Sequence, residues 1–236
     1  MIMNLYHKFE QYYAEAKTNI WYHYFALFCR FALALAWLIS GLVKIKGERF
    51  AEGLSHNHPL GQFFDALLNT GYYYTFIGVG QVLISILLII PATALLGAIG
   101  SLPISLNICV LAYSVRFEGT RITTFMLLAN LFLLCWDYDR LKSILPSRSI
   151  PVVNLKSTKN PFPFYFFGSV LTILAFVVFI NHNLYEIRPG NEPAECWNSC
   201  PGNKNPQACE EFCDCIHNKG QPLRLCLEIY EKSKRE

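Results

Sequence analysis

FALFCRFALALAWLISGLV, residues Phe25–Val43, decides the fold. These 19 residues carry one charge, Arg30. A helix of about 20 apolar residues crosses a bilayer, with a usable range of about 17–25. Four more apolar runs follow: Tyr73–Ile90, Ala94–Tyr113, Ile122–Trp136 and Phe162–Ile180. The run ending at Trp136 has only 15 residues, so it must start inside the preceding polar turn or be shielded by neighbours. Pro91 and Ala92 leave a very tight connection, which makes the second and third spans antiparallel neighbours. The fold class expected is all-α: a polytopic membrane helical bundle with a four-helix core, a fifth span and a small disulfide-stapled helical tail.

Composition agrees. Hydrophobic residues make up 53% of the 236 and charged residues 16%, against about 25% charged in soluble domains. The net charge of +3 is small and scattered, which excludes a face for binding nucleic acid. Charge is uneven along the chain: residues 1–185 hold 21 charged side chains, and residues 186–236 hold 16 together with six of the nine cysteines.

The organisation expected is a sequence of five segments. Residues 1–24 form an amphipathic interfacial helix, closed by Trp21, Tyr22 and Tyr24 at the level where aromatic rings settle. Residues 25–142 form the four-helix bundle and 143–161 a cytoplasmic linker. Residues 162–181 are the fifth span, and 182–236 an extracytoplasmic Cys-rich tail. No A-x-A-like site marks a signal peptide.

Orientation rests on two arguments. Basic residues near span ends divide seven to six in favour of a cytoplasmic N-terminus (Lys8, Lys17, Arg140, Lys142, Arg148, Lys156 and Lys159 on that side). An even number of clustered cysteines fits an oxidising compartment. The expected location is therefore the bacterial inner (cytoplasmic) membrane, multi-pass, with the tail periplasmic.

Polar residues inside the spans form stripes. Arg30, Trp37 and Lys44 share a face of the first span at about 100° per residue. Thr123, Asn130 and Asp137 share one on the fourth. Arg30 and Asp137 are expected as ion-pair partners, and Lys44 is expected to find Glu118. Gln81 and Asn107 add polar groups from the second and third spans. Charged groups at membrane depth face a bundle interior, so the set Arg30, Trp37, Lys44, Gln81, Asn107, Asn130 and Asp137 reads either as interhelical hydrogen bonding or as a pocket for a ligand headgroup or a quinone carbonyl. Gly97, Ser101 and Ser105 read as close packing, Pro103 as a kink, and Cys29, Cys109 and Cys135 as small apolar packing residues. His56 and His58 read as a solvated loop, with no metal site.

Three further stretches complete a pattern. RFALALAWLISGLVKIKGERF (Arg30–Phe50) has a leading Arg, an apolar span and G-x-x-K at Gly41 and Lys44. HPLGQFF (His58–Phe64), GVGQVLISILL (Gly78–Leu88) and LLANLFLLCWDYDRL (Leu127–Leu141) follow. Over residues 25–142 the chain resembles the DoxX family of membrane proteins. The resemblance implies a four-helix bundle with a redox-associated or assembly role, since relatives include a subunit of a thiosulfate:quinone oxidoreductase. Many DoxX proteins carry an acid early in the second span; Gln81 stands here instead, which weakens a proton-linked role.

The tail lies outside that resemblance. Cys196, Cys200, Cys209, Cys213, Cys215 and Cys226 contain two C-x3-C pairs. On a helix i and i+4 share a face. Two such helices running antiparallel would pair Cys196 with Cys213 and Cys200 with Cys209, leaving Cys215 for Cys226; six cysteines allow 15 connectivities in all. Staples suit a segment too short for a core of its own. Absence of C-x-x-C speaks against a thiol–disulfide exchange site, and C-x-C-x-H (Cys213, Cys215, His217) is a weak metal pattern.

No catalytic motif stands out: the sequence lacks G-x-S-x-G, H-E-x-x-H, a P-loop and a dinucleotide fingerprint. The function expected is a non-catalytic accessory or scaffold subunit of an inner-membrane complex, with the lipid bilayer and a membrane or periplasmic protein as partners and no obligatory cofactor. The alternatives are a quinone-binding subunit of an oxidoreductase and a periplasmic thiol–disulfide or assembly chaperone.

Overall fold

A computed structural model describes residues 2–144 and 161–234. Among these residues all the regular structure is helical: α1 (Ile2–Thr18), α2 (Ile20–Ile45), α3 (Pro59–Leu68), α4 (Tyr72–Ile89), α5 (Ala94–Ser114), α6 (Thr120–Trp136), α7 (Tyr138–Ile144), α8 (Phe164–Asn183), α9 (Pro193–Ser199), α10 (Pro206–Cys213) and α11 (Leu223–Ser233). Helices α2, α4, α5 and α8 are long and apolar enough to cross a membrane, and α6 is a shorter apolar helix. The protein is a multi-pass membrane helical bundle with a disulfide-bonded helical tail. Most of the linker expected at 143–161 lies outside the described residues.

Small residues set the helix crossings. The face of α2 bearing Cys29, Leu33, Trp37, Gly41 and Lys44 packs on the α4 face of Gly78, Gln81, Ser85 and Leu88. Between helices in lipid there is no water to expel, so close van der Waals approach has to hold them. Gly97 does the same for α5: a Cβ there would lie 2.8 Å from the Leu88 backbone nitrogen. Trp37, Leu88 and Leu133 then fill the centre of the bundle.

The ends of the bundle are tied differently. Asn19 accepts from the Trp21 N–H at 3.0 Å and starts α2 as an N-cap. Helix α1 fastens to the end of α6, where the Tyr13 hydroxyl donates to the Trp136 carbonyl at 2.8 Å. Lys142 of α7 pairs with Glu10 at 3.0 Å. The polar loop after α2 holds a helix that the apolar runs do not reveal, α3. Its start is fixed by Pro59 at the first helical position and by the His58 ring, which caps it.

Helix α8 stands apart. Only 6% of its apolar window is buried inside the protein, against 28–39% for the other three long helices. Asn181 is its one buried residue.

Candidate functional site

Lys44 is the deepest charge in the bundle, at 4% exposed. Its Nζ donates to the Ser40 carbonyl at 3.1 Å and to Ser40 Oγ at 2.8 Å. Ser40 Oγ in turn donates to Gln81 Oε1 at 3.1 Å. The Phe50 ring covers the ammonium group at 4.1 Å, a desolvated cation–π contact. Among the described residues no carboxylate pairs with Lys44. The expected partner, Glu118, lies in the α5–α6 turn and does not reach it, because Lys44 is enclosed between α2 and α4.

A second polar link joins α5 to α6. Asn130 is fully buried against Ser101 Oγ. With its amide nitrogen toward the Ala98 carbonyl at 3.0 Å, its oxygen accepts from the Leu102 N–H at 3.2 Å. The side chain thus meets α5 one residue before Pro103, whose ring removes a helical donor. Trp37 lies in the same core, and its indole N–H has no protein acceptor among the described residues.

Three members of the expected set lie elsewhere. Arg30 does not pair with Asp137. Its Nε and Nη2 each donate at 2.9 Å, to the carbonyls of Leu88 and Ile89. Those are carbonyls of the last turn of α4, which lack helical partners, and the guanidinium fork suits two of them at once. Asp137 instead lies 3.9 Å from Lys17 of α1. Asn107 is exposed. The buried face of α5 is set by Ser101, Ser105 and Cys109, and Asn107 points about 200° from Ser105. The set is therefore split: Lys44, Ser40 and Gln81 at the tail end, Trp37 and Asn130 in the middle, and Arg30 and Asp137 at the α1 end. Cys135 is another correction: Cys29 and Cys109 are buried, but Cys135 is exposed on the bundle.

The third polar site joins the bundle to its tail. Disulfides connect Cys196 to Cys213, Cys200 to Cys209 and Cys215 to Cys226. All six sulfur-bearing residues are buried around Phe212, Ile216 and Tyr230. The sulfurs of Cys200, Cys209 and Cys213 come close to one another, but bonding in disulfides leaves no thiolate for a metal. The C-x-C-x-H stretch is no metal site either, because Cys213 and Cys215 belong to different disulfides. His217 Nε2 donates to the Pro189 carbonyl at 2.6 Å.

This tail sits on the loop after α2. The Ser55 N–H donates to the Asn191 carbonyl at 3.0 Å, and Asn57 Nδ2 to the His217 carbonyl at 2.5 Å. Gln62 donates to the Gly220 carbonyl at 3.2 Å and Arg116 to the Ile187 carbonyl at 3.1 Å. Under this contact His58 is buried, against the expectation of a solvated loop; only His56 is exposed. His58 Nδ1 accepts from the Leu60 N–H at 3.0 Å. Burial, and then the charge of His217, push its pKa down to about 4. Arg49 and His56 clamp Asp65 from the same loop, at 2.5 and 2.7 Å. Burial alone would raise the Asp65 pKa, but these hydrogen bonds hold it below the ordinary value.

Comparison with known proteins adds one relative. The chain is 32% identical over 120 residues to the uncharacterized protein YwoB of Bacillus subtilis (strain 168). The match covers 49% of this chain and 78% of YwoB. This chain belongs to the YwoB family. No family model matches the chain, and no solved structure matches it. YwoB family membership brings no chemistry with it, so the functional reading rests on the geometry.

Proposed function

We propose that the chain is a non-catalytic accessory or scaffold subunit of a bacterial inner-membrane complex, with its N-terminus cytoplasmic and its tail periplasmic. One observation carries the reading: a tail hydrogen-bonded to the bundle continues from a span with few buried residues. Helix α8 touches the bundle along one half-buried face, through rings such as Phe166 on Phe25 and Phe132, and leaves the rest of its surface exposed, and yet the tail that follows it is fastened to the α2–α3 loop at several points. A span so placed offers a long apolar face beside the bundle to another membrane helix, and the tail offers a fixed polar platform above it. The resemblance to DoxX proteins, some of which are subunits of larger assemblies, favours the same role.

The quinone-binding reading draws on Lys44 and Gln81 alone, since Arg30, Asn107 and Asp137 stand away from them. The thiol-chaperone reading needs a reactive tail thiol, and all six tail cysteines are paired and buried. Extraction in a mild detergent tests the proposal. Stable co-purification with another envelope protein is expected, and a monodisperse monomer without partners contradicts it.

A further inference from the structure

A cavity of about 250 Å³ opens at the α1 end of the bundle, away from Lys44. Lys17, His23, Arg30 and Asp137 form its polar wall; Ala26, Leu27 and Trp136 form an apolar one. Arg30 satisfies two of its donors on the Leu88 and Ile89 carbonyls. Carbonyls are neutral, and no carboxylate lies within 4 Å of Arg30 among the described residues; Asp137 acts on it from farther away. The ammonium of Lys17 stands 4.1 Å over the Trp136 ring, held near Asp137. Arg140 reaches the Pro91 and Ala92 carbonyls of the adjoining turn at 3.4 and 2.6 Å. Of the charged groups that line the cavity, Lys17 and Arg30 are cationic and Asp137 is anionic, so positive charge is in excess.

Depth matters as much as charge. Arg30 is level with the last turn of α4, where the apolar part of the bundle ends. Cationic donors beside an apolar wall at that level match a phosphate group attached to a glycerol and acyl chains. We propose that this cavity binds a phosphate group, presented either by an anionic phospholipid or by a soluble phosphate. The guanidinium of Arg30 and the ammonium of Lys17 hold the phosphate oxygens, and the apolar wall carries whatever is esterified to them.

The test uses the full chain purified in a neutral detergent, with native mass spectrometry and thermal melting. The probes are phosphatidylglycerol, phosphatidylcholine and inorganic phosphate. Phosphatidylglycerol is expected to be retained and to raise the melting temperature, with phosphatidylcholine doing neither. Lys17→Gln, on the peripheral α1, should weaken phosphatidylglycerol binding about fivefold while melting normally without lipid, as fits one basic residue near a phosphate. If millimolar inorganic phosphate reproduces the melting shift, the occupant is a soluble phosphate; if only phosphatidylglycerol produces it, the occupant is a lipid head. Equal retention of the two lipids without any effect of inorganic phosphate overturns the site. So does undiminished binding of the effective probe by Lys17→Gln. Arg30→Gln is a second variant, and if it fails to fold the Lys17 result still decides.

Discussion

Gly41 and Gly78 meet backbone to backbone. A Cβ on Gly41 would stand 2.6 Å from the Gly78 carbonyl oxygen, and one on Gly78 would stand 2.7 Å from the Gly41 carbonyl oxygen. This crossing fixes the distance between α2 and α4, and so brings Ser40 within reach of Gln81. Gly41→Val or Gly78→Val must push the helices apart. Either should destabilise the bundle by about 1–3 kcal/mol or more, read as a lower midpoint in denaturant titration of the detergent-solubilised protein. Gly80 has open space where its Cβ would be, so Gly80→Ala should leave the midpoint nearly unchanged.

Lys44 makes a different prediction. Its ammonium is desolvated and has neutral acceptors only, so its burial costs more than its hydrogen bonds return. Lys44→Met keeps the stem and removes the charge. The variant should be as stable as the native protein, or more stable by about 1–4 kcal/mol. A loss of stability would show that the Lys44–Ser40–Gln81 chain holds the helices together.

The three staples make a chemical prediction. Alkylation of the folded, unreduced protein should label none of the six tail cysteines, and Cys135 should be the most reactive of the other three once detergent gives access to it. Replacing both Cys215 and Cys226 by Ser should cost the tail about 2–4 kcal/mol, seen as faster proteolysis after residue 185.

The tail junction should weaken in acid. His58 accepts a hydrogen bond at Nδ1, so its neutral form is the one that fits. Its pKa of about 4 in the folded protein lies below the ordinary 6.5. Stability from this group is whole above pH 6.5 and falls as the pH drops from there through about 4, because the unfolded chain takes up the proton first. The full loss is on the order of 3 kcal/mol. Hydrogen exchange in the α2–α3 loop and α9, followed between pH 7 and pH 4, should accelerate accordingly. His58→Asn can still cap α3 and should flatten the dependence.

Much of this architecture was legible in the sequence, for physical reasons. Apolar runs give span positions, since lipid demands a certain length, and the observed helices agree to within a few residues. Cysteine spacing narrows the pairing, because i and i+4 on antiparallel helices leave few good choices. The antiparallel pairing is the one found. Side-chain partners were harder. Arg30 took carbonyl oxygens over Asp137 because α4 ends just before Pro91 and leaves its last carbonyls open, and a charge count ignores backbone acceptors. Asn107 was misplaced because a polar residue in a span says nothing about direction until the opposite face is fixed by Ser101 and Ser105. Gly78 looks like any other glycine in GVGQVLISILL. Its spacing with Gly41 across two helices carries no signal along one chain. The burial of His58 depended on the tail, more than 130 residues away.

The most direct test of the scaffold reading is crosslinking from α8 itself. A photoreactive residue in place of Leu171 or Phe179, on the exposed surface of α8, should capture a second membrane protein in cells. The same residue in place of Leu35 on α2 should capture far less. Adducts to lipid alone from both α8 positions would contradict the account.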